Sequence, residues 1–212
     1  MIADRYYMDL AGAFVRGKLP DTDGLSVSEL IEKGLESGLR LHKFKTNTEL
    51  PRVKHVLGIL RGLNPSTILD IGSGRGTFLW PLLAEFPEVE ITSVDTRLQR
   101  VSDINAVRKG GIETLSVAQV DAGRLAFADK SFEVTTVLEV LEHVQDAAQV
   151  AAEAVRATRR FIIASVPSRE DENPEHIRLF DRPTIEALFR RAGATRASVE
   201  YVRGHIIALA RI

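Results

Sequence analysis

Between Ser66 and Asp95 the chain sets two carboxylates around a glycine loop, Asp70-Ile71-Gly72-Ser73-Gly74-Arg75-Gly76, with Asp95 following after a helix-length segment. Glycines at every second position let the backbone turn sharply and let a ligand approach its amides with no Cβ in the way. A carboxylate at the end of the second strand of such a unit can accept both hydroxyls of a ribose. The dinucleotide fingerprint is G-x-G-x-x-G. Here the third glycine comes one residue early and Thr77 follows it. Asp70, two residues before the first glycine, would repel a pyrophosphate and attract a cationic amine.

These residues need a strand, a loop, a helix and a second strand to hold them. Thr67–Ile71 is a short apolar run between Pro65 and Gly72, which predicts a buried parallel strand. Thr77–Phe86 predicts a helix, with Phe78, Leu79, Leu82, Leu83 and Phe86 as its apolar stripe. Glu90–Val94 predicts the strand that ends at Asp95. S-adenosylmethionine (SAM) carries an ammonium, a sulfonium and a ribose but no phosphate, so it suits Asp70, the loop and Asp95 better than NAD does. A glycine-rich turn in some other α/β domain is the plain alternative. With these residues in hand, the stretch resembles the first motif of the class I SAM-dependent methyltransferases. The resemblance implies that Asp70, Gly72, Ser73, Gly74, Asp95 and Thr96 bind SAM.

Further along, Arg97–Lys109 predicts a helix and Thr114–Val120 a third strand ending at Asp121. The resemblance implies that Asp121 meets the adenine amino group and the amide of Ala122 a ring nitrogen; a carboxylate capping a turn is the alternative. Glu133–Leu138, with its β-branched run, predicts a central fourth strand. It leads into Glu139-Val140-Leu141-Glu142-His143, at the strand ends where open α/β sheets bind ligands. A helix over Asp146–Thr158 and a strand over Arg160–Val166 follow. The polar stretch Ser168–Arg178, which includes Asp171, could act as a lid. Asp181 caps a helix to Arg191, and two strands, Thr195–Val202 and His205–Arg211, close the chain. The fold class expected is α/β: a Rossmann-like, seven-stranded, mostly parallel sheet with an antiparallel last strand. The expected organisation is one domain over residues 1–212, with 1–65 as a helical cap and 66–212 as the SAM-binding core.

In the cap, Ser26 and Glu29 form a capping box at a helix start carrying Leu30, Ile31 and Leu35. A further helix covers about Leu50–Leu63, with Val53, Val56, Leu57 and Leu60 buried. Arg40, Lys43, Lys45, Arg52, Lys54 and Arg61 are opposed only by Glu49. They read either as a patch for an anionic substrate or as a solvated helix face. The resemblance implies a substrate cover from this region, with Tyr6, Tyr7, Phe14, His42 and Phe44 as candidates.

Methyl transfer from a sulfonium is an in-line displacement, and a hydroxyl acceptor usually needs help to shed its proton. His143 is the best-placed base, with Glu142 and His176 next. Glu139 is expected on the SAM site. The plain alternative has Glu142 and His143 capping the next helix. The Glu-Val-Leu-Glu-His run resembles many small-molecule O-, N- and C-methyltransferases, those of quinone biosynthesis included. It also resembles small-RNA 3′-end ribose 2′-O-methyltransferases, where Glu139, Glu142, His143 and His176 would match a metal-binding set. Against that pattern, Glu175-His176 stands where an Asp-His pair is expected and the loop is short. No metal ligands are assigned. The third alternative is a SAM-binding protein without turnover.

The chain's 212 residues suffice for one domain, and a content of 44% hydrophobic and 27% charged residues is that of a globular protein. With no cysteine, disulfides, zinc-thiolate sites and cysteine nucleophiles are excluded. A net charge of −1 gives the whole molecule no polyanion-binding signature. The absence of a membrane span or secretory signal pattern leads us to expect a cytoplasmic protein with a small-molecule methyl acceptor. A nucleic-acid partner is the lesser expectation, and the oligomeric state is not legible.

Overall fold

The computed structural model describes residues 7–46, 50–170 and 172–212; Tyr6, Glu49 and Asp171, named above, lie outside these. Seven strands form one sheet: β1 (Thr67–Ile71), β2 (Glu90–Asp95), β3 (Leu115–Gln119), β4 (Phe132–Leu138), β5 (Thr158–Pro167), β6 (Arg196–Val202) and β7 (His205–Arg211). Their order is β3-β2-β1-β4-β5-β7-β6. The first five pair in parallel, and β7 is inserted antiparallel between β5 and β6. Only β7 runs against the rest, as the resemblance implies. The strand order reverses between β1 and β4, which opens a crevice at the carboxyl ends of those strands.

The helices are α1 (Met8–Lys18), α2 (Val27–Glu36), α3 (Pro51–Leu63), α4 (Leu79–Glu85), α5 (Leu98–Lys109), α6 (Ala147–Ala157) and α7 (Arg182–Arg191), with a 3₁₀ turn at Leu41–Phe44. Two apolar clusters cover the two faces of the sheet. One joins α1–α5 to Ile68, Ile91 and Val134; the other joins α6 and α7 to Leu69, Ile71 and Val137. Alternation along β1 sends Ile68 and Asp70 to the first face and Leu69 and Ile71 to the second. Ser26 and Glu29 form their capping box, and Val53, Val56, Leu57 and Leu60 are buried, as expected.

Three local differences have plain causes. The helix after the glycine loop begins at Leu79 rather than Thr77, because Gly76 takes a positive φ and turns the chain first. Its first five residues, Trp80 and Pro81 included, are all buried, so its apolar face is wider than the sequence spacing shows. Leu35 of α2 is exposed, and the helix ends at Glu36. Phe14 and Phe44, candidates for a substrate cover, are both buried with ring centroids 5.3 Å apart; Phe44 packs on Trp80 at 4.8 Å, while Phe14 also lines a cavity together with His42. Among the described residues no helix is long and apolar enough to cross a membrane.

Candidate active site

A cavity of about 590 Å³ opens at the carboxyl ends of β1–β4. Its floor is the glycine loop. Gly72 has φ +74°, a left-handed conformation, and a Cβ added there would stand 2.4 Å from Val140 Cγ2, so only glycine closes this turn. Gly74 donates its N–H to Asp95 Oδ2 at 2.9 Å, and Arg97 donates its own to Asp95 Oδ1 at 2.8 Å. The loop and the start of α5 thus hold both oxygens of one carboxylate, leaving its remaining lone pairs for a ligand. Thr96, Asp121, Glu139 and His143 add to the polar wall, and Ile71, Val94, Val120, Ala122, Val140 and Val144 form its apolar part.

Asp70 and Ser73 stand behind this wall rather than on it. Asp70 is 2% exposed; Thr136 Oγ1 donates to it at 2.7 Å, and so does Ser73 Oγ, which also meets Ser93 Oγ at 2.6 Å. Burial raises the Asp70 pKa, opposed by the hydroxyl bonds from Ser73 and Thr136, while the Asp95 charge adds to the rise. Asp70, expected on the ligand site, is thus beneath the loop and is not among the residues lining the cavity. It braces β1, β4 and the loop from beneath, because the strand alternation turns it under the loop.

Glu139 follows β4 at φ +56°, an uncommon conformation for a residue with a Cβ. Ser165 Oγ donates to its carboxylate at 2.6 Å, His205 Nε2 lies 3.1 Å away and Arg52 Nε 3.8 Å. Burial pushes this carboxyl up, but His205, Ser165 and Arg52 outweigh it and hold the pKa below the usual value of 4.5. Glu139 in turn raises the His205 pKa above 6.5 against the partial burial of the ring. His205 and Ser165 come from strands distant in sequence, and sequence reading missed them; no local spacing signals them.

His143 lies on the wall. Its Nδ1 is 3.0 Å from the carbonyl oxygen of Glu175, and a carbonyl can only accept, so the neutral ring carries its proton on Nδ1 and keeps a lone pair on Nε2. Glu142 and His176 are not on the wall. Glu142 is fully buried, and His176 packs against His143 with ring centroids 4.7 Å apart. Ligand atoms of Glu142, His143 and His176 lie within 4.8 Å of one another. Glu139 does not join that group. Nor do Glu142 and His143 cap α6; Asp146 does, accepting from the Gln149 amide at 2.9 Å. The loop after β5 reaches the cavity through Glu175, 3.4 Å from Arg97.

Residues 69–161, the span of the glycine loop and the polar wall, match the methyltransferase domain family. Over that span the chain is similar to SAM-dependent methyltransferase domains. A ubiquinone/menaquinone biosynthesis C-methyltransferase of Desulfotalea psychrophila is 25% identical over 141 residues, which is 65% of this chain and 56% of that protein. A demethylmenaquinone methyltransferase of Thermotoga maritima is 28% identical over 107 residues, or 50% of this chain and 45% of that one. The chain thus spans about half the length of these curated relatives. A SAM-dependent methyltransferase from Aquifex aeolicus superposes with a TM-score of 0.64 at 18% identity, covering 76% of this chain and 89% of that one. The N-terminal domain of EvdMO1, solved in the presence of S-adenosylhomocysteine (SAH) and D-fucose, gives 0.62 at 16% identity, with 77% and 84% covered. At these identities the structural likeness speaks for the fold.

The Glu139–His205 pair gives the site a pH signature. His205, held above 6.5, contributes stability that is complete below its unfolded value and is lost as pH rises through its folded one. Glu139, held below 4.5, contributes stability that is present above its unfolded value and is lost as pH falls through its folded one. The pair is therefore whole between 4.5 and 6.5. We expect the melting-temperature advantage of wild type over His205→Ala to be greatest near about pH 6 and to shrink towards about pH 8. A difference independent of pH would mean that His205 acts only by packing.

Proposed function

We propose that the protein is a SAM-dependent methyltransferase acting on an O, N or C atom of a small or medium molecule. The observation that carries this reading is the cavity at the strand ends, where the Gly72–Gly74 backbone and a fixed, doubly anchored Asp95 carboxylate face a space of about 590 Å³. Bound SAM supplies an electrophilic methyl group already activated for displacement. The chain's own residues then have to bind, orient and exclude water. Asp95 offers two oriented oxygens to a pair of hydroxyls. Asp121 and Ala122 stand further along the wall, although Asp121 Oδ1 also accepts from the Gly123 amide at 2.8 Å. The valines keep water from the reacting centre. The first 65 residues serve as a cap on a core formed by the remainder, in one domain; the shared apolar cluster of α1–α3 with α4, α5 and β1 supports this.

For an acceptor that must lose a proton, His143 Nε2 is the base, an effect worth about a hundred- to ten-thousandfold. Its closeness to Glu142 and His176 raises a metal-binding reading, but the hydrogen bonds around His176 oppose it. The Glu175 amide donates to Asn173 Oδ1 at 3.0 Å, which turns the Asn173 Nδ2 donor towards His176 Nε2, also at 3.0 Å. That nitrogen is thereby engaged as an acceptor, and the other carries the proton. A metal at His176 Nε2 would have to displace this Asn173 contact. Dialysis against EDTA is accordingly expected to leave methyl transfer unchanged, with release of radiolabelled methyl product as the readout.

The test of the function itself is calorimetric titration with SAH. Micromolar binding is the expected result. A folded protein that binds neither SAM nor SAH would remove the reading.

A further inference from the structure

A second cavity, of about 750 Å³, lies against the first and shares Arg75, Arg97 and Arg100 with it. The ring of Phe14 from α1, the segment from Gly38 to Lys43 and the first turns of α5 enclose it. Its walls carry Lys18, Arg40, Lys43, Arg75, Arg97 and Arg100 against one carboxylate, Asp103. Asp103 is already taken, by Lys43 Nζ at 2.8 Å and Lys18 Nζ at 3.0 Å. Arg97 is drawn to Glu175. Arg40, Arg75 and Arg100 are left with no carboxylate partner among the described residues.

This concentration is out of keeping with a chain of net charge −1. Like charges held around one concavity repel, and low-dielectric walls strengthen the field inside it. Lys43 registers that field. Burial lowers its pKa, Asp103 opposes the fall, and the charges of Lys18 and Arg100 add to it. Its ammonium also lies 4.0 Å from the Phe14 ring centroid, a contact that favours the charged form. An arrangement like this becomes favourable when an anion neutralises it.

The run of basic residues from Arg40 to Arg61 does not supply a continuous track for a long polyanion. Arg52 faces Glu139, Arg61 pairs with Glu85, and only Arg40, His42 and Lys43 reach this cavity. A concave site of this volume suits a small molecule. Guanidinium forks match the geometry of phosphate oxygens.

We propose that this cavity seats the phosphate-class anionic end of the methyl acceptor, whose reacting atom enters the neighbouring cavity across the Arg75–Arg97–Arg100 boundary. The proposal rests on the methyltransferase reading of the first cavity and narrows its substrate class. An apolar acceptor would gain nothing from these walls.

The test uses inorganic pyrophosphate as the probe, titrated by calorimetry into the full chain saturated with SAH, at low and at raised salt. Wild type is expected to bind it, more weakly as salt rises. Arg40→Glu is expected to weaken pyrophosphate at least tenfold and Arg40→Gln less, with SAH affinity unchanged in both. Arg40 is exposed and lines only the second cavity, so these variants are expected to fold. A wild type that binds SAH but not pyrophosphate would overturn the proposal, as would equal pyrophosphate affinity in wild type and Arg40→Glu. A short single-stranded RNA that binds more tightly than pyrophosphate, and is lost in the same variant, would overturn it in favour of a nucleic-acid acceptor. Pyrophosphate binding without any SAH binding would overturn the acceptor role by removing the cofactor reading beneath it.

Discussion

Replacing Asp95 by Ala is expected to weaken SAH binding by about a hundredfold while the chain stays folded. Both carboxylate oxygens are fixed by backbone donors, Gly74 N–H at 2.9 Å and Arg97 N–H at 2.8 Å. A ligand therefore meets acceptors that need no reorganisation. Hydrogen bonds to a charged group contribute about 1.5–3 kcal/mol each. Two such bonds to a ribose, even partly replaced by water, come to about 3 kcal/mol, which is the hundredfold change. Ala also frees the Gly74 amide, so some of the loss comes through the glycine loop. Asp95→Asn separates the contributions: it keeps one acceptor and places an NH₂ group against a backbone donor, so it should lose almost as much. Calorimetry with SAH reads the affinities, and circular dichroism confirms the fold. A variant that binds SAH as wild type does would remove Asp95 from the cofactor site and, with it, the main argument for SAM.

The unit from Thr67 to Asp95 was legible because its signals are local. An apolar run, three glycines and a terminal carboxylate lie within one strand–loop–helix–strand, and period and punctuation place them within a residue or two. The remaining strands follow for the same reason, whereas the reversal of β7 came from the family resemblance and not from any local signal. What the sequence leaves out is set by contacts between distant segments. Asp70 appears as a free carboxylate until Ser73 and Thr136 are seen around it. His205 has no chemical company along the chain, yet β7 beside β5 carries it to Glu139. The basic run around Arg40–Arg61 reads as one patch but is divided among Glu139, Glu85 and Asp103 by the fold. The second cavity was invisible because its cations come from α1, the 3₁₀ turn, the glycine loop and α5.

The largest stability effect is expected from a substitution that helix propensity would favour. Gly17 sits in the last turns of α1, and Ala is the better helix former by about 1 kcal/mol. However, α1 lies against α5 with no room for a side chain. A Cβ on Gly17 would stand 1.9 Å from the carbonyl oxygen of Ala106. The contact is reciprocal, since a Cβ on Gly110 would stand 1.8 Å from the carbonyl oxygen of Ala13. Both obstacles are backbone, so no rotamer change relieves them and the helices must part. Overpacking of this kind costs about 3 kcal/mol or more, which outweighs the propensity gain. Gly17→Ala should therefore lower the melting temperature by roughly 6–12 °C for a chain of this size. Gly58→Ala in α3 is the control: its Cβ would meet only Arg61 Nη1, at 4.0 Å, so it should be neutral or slightly stabilising. Opposite signs for the two substitutions are the expected result. Equal and small effects would show that α1 does not dock on α5 in this way. Because Lys18 follows Gly17 and lines the basic cavity with Arg100 of α5, parting the helices should also weaken pyrophosphate binding at temperatures where Gly17→Ala is still folded.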